Sequence, residues 1–177
     1  MVLRRSLLSW LGATGIARQD DGGLAAWSDT SPWIELKRKI RTAFPEVCQM
    51  SVPTLQRALL EVPRPVLLDA RAWSEFDVSH LNEAIWTPDL ASAIAQLSAH
   101  GKEVSTVVYC SVGWRSALIT RQLTQSGYAH VFNLEGSLFE WANSGLPVYR
   151  AGHIVKQVHP YDARWGALLF SQLRAPL

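Results

Sequence analysis

Residues 107–117 read Val-Val-Tyr-Cys-Ser-Val-Gly-Trp-Arg-Ser-Ala. A largely β-branched apolar run ends in Cys110, a short loop carries Gly113 and Arg115, and apolar positions then recur at helical spacing through Ala117, Leu118, Ile119 and Leu123. A strand, a loop and a helix in this order place a thiol at the start of a helix, where unpaired N–H groups and a partial positive charge gather. An ordinary thiol has a pKa of about 8.5, and only its thiolate is nucleophilic. Lowering that pKa by about two units takes roughly 2.7 kcal/mol. A helix terminus supplies about 0.3–1 kcal/mol when exposed and up to ~2 when partly buried, so loop amides and Arg115 have to provide the rest. Gly113 allows the backbone to turn without a Cβ clash, and Arg115 offers a planar, permanent cation suited to an anionic substrate. The competing reading of Cys110 is a buried residue at the end of a strand, a common place for a free cysteine.

The flanking chain repeats the alternation. Ser31 and Pro32 suit a helix N-terminus, and Trp33, Ile34, Leu36, Ile40 and Phe44 follow at helical spacing up to Pro45. Lys37, Arg38, Lys39 and Arg41 are expected to form its solvated face. Residues 47–50 read as a strand in which Cys48 is a packing residue, and 52–60 as a helix burying Leu55, Leu59 and Leu60. The near-continuous apolar run 65–70, ending at Asp69, suits a strand of a buried parallel sheet. Further strands are expected at 84–86, 104–110 and 130–133, with helices at about 89–99, 115–126 and 136–143. Strands alternating with helices imply right-handed crossovers and a parallel sheet covered on both faces. Its site then falls at the carboxyl ends of the strands, where Cys110 stands.

Three ordered blocks make the pattern specific. Cys110 to Arg115 is the first. Leu67-Leu68-Asp69-Ala70-Arg71, with Glu75-Phe76 and the segment 79–88 containing His80, lies upstream. Asn133-Leu134-Glu135-Gly136-Ser137-Leu138-Phe139-Glu140-Trp141, with Gly145-Leu146-Pro147-Val148, lies downstream. Together they resemble a single-domain rhodanese over about residues 47–149. The resemblance implies a three-layer α/β fold with a five-stranded parallel sheet, and a six-residue loop whose cysteine carries a persulfide. It also implies a scaffold role for His80, ahead of a strand. Ser111 stands where that family often has arginine, Asn82-Glu83 replaces a small residue and glycine, and Ser137 replaces the second glycine of the closing signature. These departures bear on substrate preference more than on fold.

The resemblance implies a sulfurtransferase that moves sulfane sulfur from thiosulfate or another anionic donor to a thiol or cyanide. Cys110 and Arg115 are then the catalytic residues. Ser111, Val112, Gly113, Trp114 and Ser116 bind substrate, and Trp114 shapes the rim. Asp69 and Arg71 read best as a supporting ion pair beside the site, because no second acid is placed with them for acid–base work. Two alternatives stay open. One is a sulfur-carrier or redox-sensing module served by a protein of a sulfur relay. The other is a cysteine phosphatase or arsenate reductase, less favoured because the phosphatase loop is Cys-x5-Arg and Arg115 comes one residue early.

A net charge of +2 gives no case for nucleic acid, and the 8 tryptophans are scattered rather than grouped as a stacking platform. Cys48 and Cys110 have no metal-binding spacing, and neither do His153 and His159, so no metal or cofactor is expected. Residues 1–30 read as an extension and linker. Arg4-Arg5, a short apolar run and Gly15-Ile16-Ala17 also resemble a twin-arginine export signal, which sets a periplasmic location against the cytoplasmic one. The run is too short to span a bilayer. The remaining divisions are an N-terminal helix at 31–45, the rhodanese-like domain at 46–150 and a tail at 151–177. In that tail the apolar residues of 164–170 suggest a helix docked on the core.

Overall fold

The computed structural model describes residues 31–177, so the possible export signal and linker lie outside the described residues. Five strands, β1 (Gln49–Met50), β2 (Val66–Asp69), β3 (Ile85–Trp86), β4 (Thr106–Tyr109) and β5 (Val131–Leu134), form one parallel sheet in the order β1-β5-β4-β2-β3. Side chains alternate across β4: Val107 and Tyr109 enter one buried cluster, whereas Val108 and Cys110 enter the other. The first cluster lies beneath α1 (Ser31–Ala43), α2 (Val52–Ala58) and α6 (Ser137–Asn143). The second lies beneath α4 (Leu90–Leu97) and α5 (Trp114–Gln125). The short α3 (Trp73–Val78) follows β2. These layers are the α/β architecture that the alternation and the resemblance led us to expect.

Helix α1 docks through Trp33, Leu36, Ile40 and Phe44, all buried and spaced three or four residues apart. Its cations are not simply solvated. Lys37 bonds Glu140 at 2.9 Å, and Arg41 grips both carboxylate oxygens of Glu135 at 2.7 and 2.8 Å, so two of the four tie α1 to the chain around α6. Two further expectations are corrected. Cys48 precedes β1 and is exposed, because its carbonyl rather than its side chain is used, accepting the N–H of Asn133. Leu60 lies past the end of α2 and is 85% exposed, whereas Leu55 is fully buried.

After α6 the chain makes an antiparallel hairpin of β6 (Val148–Arg150) and β7 (His153–Val155), which periodicity did not reveal. The expected tail helix is a single turn, α7 (Ala163–Gly166), followed by a 3-10 turn at Ser171–Leu173. Gly166 packs on Pro160 so closely that a Cβ would meet the proline ring at 2.8 Å. Polar stitching fixes this tail. Asn143 donates to the Leu168 carbonyl at 2.8 Å and accepts the Phe170 N–H at 2.9 Å, while Val158 and Leu169 join the first buried cluster. Among the described residues no helix is long and apolar enough to cross a membrane.

Candidate active site

Strand β4 delivers Cys110 to the carboxyl edge of the sheet, and Gly113 turns the chain into α5. Gly113 has φ +105°, a conformation that strains any residue with a Cβ. The Asn133 side-chain amide donates to its carbonyl at 3.1 Å, fixing the turn from the neighbouring strand. The loop is also held from α6. The first N–H groups of that helix lack partners within it, and those of Leu138 and Phe139 donate to the carbonyls of Cys110 and Ser111 at 3.1 and 3.0 Å. The Ser137 hydroxyl accepts the Cys110 N–H at 3.1 Å and donates to the Leu134 carbonyl at 2.9 Å.

These anchors aim donors at one sulfur. The Gly113 N–H donates to Cys110 Sγ at 3.2 Å, and the Ser116 hydroxyl reaches it at 3.5 Å. Burial is the strongest single influence and pushes the Cys110 thiol up. Against it act the Arg115 charge and hydrogen bonds from the Ser116 hydroxyl, the Ser116 N–H and the Gly113 N–H, and the net direction is below the ordinary thiol value.

Arg115 is not a free cation. Its terminal nitrogens donate to both oxygens of Glu75 at 2.7 and 2.8 Å, and one also reaches the Ser111 hydroxyl at 3.0 Å. Ser111 in turn donates to Glu75 at 2.7 Å, and the Ala72 N–H reaches the same carboxylate at 3.1 Å. Burial pushes the Glu75 carboxyl up, but Arg115, Ser111 and the Ala72 N–H together hold it below its usual range. Glu75 is the residue that chemical reasoning on the sequence missed. It stood in the quoted motif, yet nothing in its spacing linked α3 to a loop forty positions later.

Asp69 and Arg71 pair as expected and are fully buried, with Nη2 to Oδ2 at 2.7 Å and Nε to Oδ1 at 2.9 Å. Arg71 also donates to the Ser79 carbonyl at 2.6 Å, which clamps the two ends of the segment carrying α3 and hence Glu75. The pair therefore stands behind the loop rather than in it. His80 stacks on Phe76, with ring centroids 4.0 Å apart, and its backbone pairs with Tyr149.

A cavity of about 200 Å³ opens over the loop. Cys110, Ser111, Val112, Trp114 and Arg115 line it, whereas Gly113 and Ser116 sit behind and act through their hydrogen bonds to the sulfur. Trp114 is 45% exposed and packs edge-on against Phe44 at 5.4 Å. The tail supplies the remaining wall through Tyr161 and Trp165, and the Tyr161 ring lies 5.0 Å from the Arg115 guanidinium. Periodicity could place the tail on the core but not over this opening. Among the described residues no group of three His, Cys, Asp or Glu side chains is placed to hold a metal ion.

A thiol at a strand end, cradled by backbone donors and faced by arginine, on a five-stranded parallel sheet, defines a cysteine-loop α/β domain. The sequence model of the rhodanese-like domain matches residues 52–144, more than half of the chain, and the protein belongs to that family. A sulfurtransferase of Allochromatium vinosum is 30% identical over 102 residues, covering 58% of this chain and 94% of the relative. A tRNA uridine(34) hydroxylase of Escherichia coli is 27% identical over 128 residues, covering 67% of this chain but 35% of the hydroxylase, so the chain spans about a third of that relative's length. Among solved structures, a thiosulfate sulfurtransferase from Pseudomonas aeruginosa superposes with a TM-score of 0.56 at 23% identity, over 66% of this chain and 22% of that one. The last is a likeness of fold.

Proposed function

We propose that this protein is a sulfurtransferase that carries sulfane sulfur as a persulfide on Cys110. The observation that carries the reading is Cys110 Sγ itself, buried at the floor of the cavity, hydrogen-bonded by Gly113 and Ser116, with Arg115 lowering its pKa. The thiolate attacks the outer sulfur of an anionic donor such as thiosulfate. A bond forms between Sγ and that sulfur, the donor's S–S bond breaks, and sulfite leaves with the electron pair. Cyanide or a cellular thiolate then attacks the terminal sulfur and returns Cys110 to the thiolate.

In this reading the amide and hydroxyl donors stabilise negative charge on whichever sulfur bears it. Arg115, oriented by Glu75, supplies the positive field, and Ser111, Val112 and Trp114 contact the donor. Asp69 and Arg71 act only by supporting the segment that holds Glu75. A cytoplasmic setting suits the two free cysteines, since thiols stay reduced there and can serve as acceptors. Glu75 engages one N–H on each terminal nitrogen of Arg115, which leaves fewer donors for a phosphate dianion and weakens the phosphatase reading.

Thiosulfate:cyanide activity and intact mass test the reading together. Thiosulfate should add one sulfur atom to the wild type, cyanide should release it as thiocyanate, and Cys110→Ala should show neither. Sulfur transfer that survives Cys110→Ala overturns it.

A further inference from the structure

The tail closes the site with aromatic surface, and it does so rigidly. Tyr161 adopts φ +66°, a left-handed conformation that costs energy for any residue with a Cβ. A tight turn holds it there: the Tyr161 N–H donates to His159 Nδ1 at 3.0 Å, and the Asp162 N–H to the Pro160 carbonyl at 2.9 Å. One step further, Asp162 Oδ1 accepts the Trp165 N–H at 2.7 Å and starts α7. The turn thus presents the rings of Tyr161 and Trp165 to one cavity, with the Asn143 hydrogen bonds and buried Leu169 anchoring the segment behind them.

The charge inside the cavity points the same way. Arg115 is the cation at its lining, yet Glu75 engages it on one side and the Tyr161 ring lies against it on another. Ser111, standing where the family often has a second cation, donates its hydroxyl to Glu75 instead of facing a ligand with charge. With the Cys110 thiolate formed, thiolate, Glu75 and Arg115 leave one net negative charge. A small dianion is poorly matched to that balance. A donor with a single charge and an apolar body is matched both to it and to the aromatic wall.

Building on the persulfide reading, we propose that Tyr161 and Trp165 select a sulfane-sulfur donor carried on an apolar organic group, a singly charged organic persulfide or thiosulfonate, over inorganic thiosulfate. The step is balanced without an oxidant. The Cys110 thiolate attacks the outer sulfur, a bond forms between it and Sγ, and its bond to the sulfur bearing the organic group breaks. That group departs as a thiolate from a persulfide, or as a sulfinate from a thiosulfonate.

Benzenethiosulfonate, methanethiosulfonate and thiosulfate, each with cyanide as acceptor, separate the contributions. The first two share one charge and differ in apolar body, while thiosulfate carries two charges and none. In wild type kcat/KM should fall in that order, with at least tenfold between the benzene and methane donors. Tyr161→Ala and Trp165→Ala should each reduce the benzene-to-methane ratio about fivefold or more, mainly through KM, and Trp165→Phe should restore most of it. Tyr161→Gly removes the ring while relieving the backbone, so lost folding cannot mimic the effect. A ratio unchanged in all these variants, with Cys110 still gaining sulfur by intact mass, overturns the selection while leaving the persulfide reading intact. No sulfur gain from any donor in wild type overturns both.

Discussion

The Glu75 carboxylate and the Arg115 guanidinium meet through two parallel hydrogen bonds of 2.7 and 2.8 Å, joining the helix after β2 to the helix after β4 across the mouth of the site. Arg115 faces two anionic groups, Glu75 and Cys110, and its own pKa is raised by both although burial acts the other way. The tuning of the sulfur and the stability of the loop are therefore coupled.

Removing the cation should raise the thiol. Arg115 is the largest influence lowering the Cys110 pKa, so Arg115→Met should move the midpoint of iodoacetamide alkylation against pH upward. Wild type should remain reactive below the range of an ordinary thiol and lose reactivity as pH falls through its lowered value. Sulfur transfer at neutral pH should drop about a hundredfold in the variant, the scale of one lost electrostatic contact at a reacting centre. An unchanged alkylation profile would show that the loop amides alone set the thiol.

Glu75→Gln leaves Arg115 and Ser111 without their anion. Breaking a fully buried pair costs about 3–5 kcal/mol. Arg115 is 36% exposed, so about 2 kcal/mol is expected here. Because the folded pKa of Glu75 is depressed, this stability is present above the ordinary carboxylate value and is lost as pH falls through the lowered one. Urea unfolding followed by tryptophan fluorescence should show a gap between wild type and variant at pH 7 that narrows in strong acid.

Asp69→Ala strands the Arg71 guanidinium, which is fully buried with its partner. The expected cost is about 3–5 kcal/mol, read in the same urea experiment. Persulfide formation by the fraction that remains folded should persist, since the pair lies behind the loop. Loss of sulfur loading in well-folded Asp69→Ala protein would give the pair a direct role.

Two positions where the family signature has glycine carry side chains here, and both keep the left-handed backbone, with φ +60° at Glu83 and +52° at Ser137. Glu83 is exposed, and its contact with Arg64 is long at 3.7 Å. Glu83→Gly should stabilise the protein by about 1 kcal/mol, a rise in Tm of about 2–4 °C. Ser137 differs because its hydroxyl serves the Cys110 N–H and the Leu134 carbonyl. Ser137→Ala should cost about 2 kcal/mol, and Ser137→Gly about 1 kcal/mol less than that. Equal melting of the two variants would show that the backbone at 137 is unstrained.

The sheet, its order of helices and the cysteine loop were legible because each rests on local signals: β-branched runs, helical spacing, and a glycine where φ must be positive. What stayed hidden depends on distant parts meeting. Glu75 reaches Arg115 only once β2 and β4 lie side by side, and Lys37 and Arg41 find Glu140 and Glu135 only once α1 has docked. The β6–β7 hairpin is six strand residues with little periodicity to read, and Tyr149 of β6 also bridges to His80, far away in the sequence. Tyr161 and Trp165 meet the cavity only once the tail has docked, and nothing in one dimension says which opening a turn will face.

The match to the family stops at residue 144, whereas Asn143 spends its side-chain amide on Leu168 and Phe170, and Val158 and Leu169 fill the same apolar interior as β4. The stretch that the family model matches and the stretch that packs into one interior are thus different lengths of chain. Cutting at residue 144 would leave the Asn143 amide without its two tail partners and open the interior to water. The final thirty-odd residues are a wall built into the house, sharing its apolar interior and its hydrogen bonds with the rhodanese-like domain.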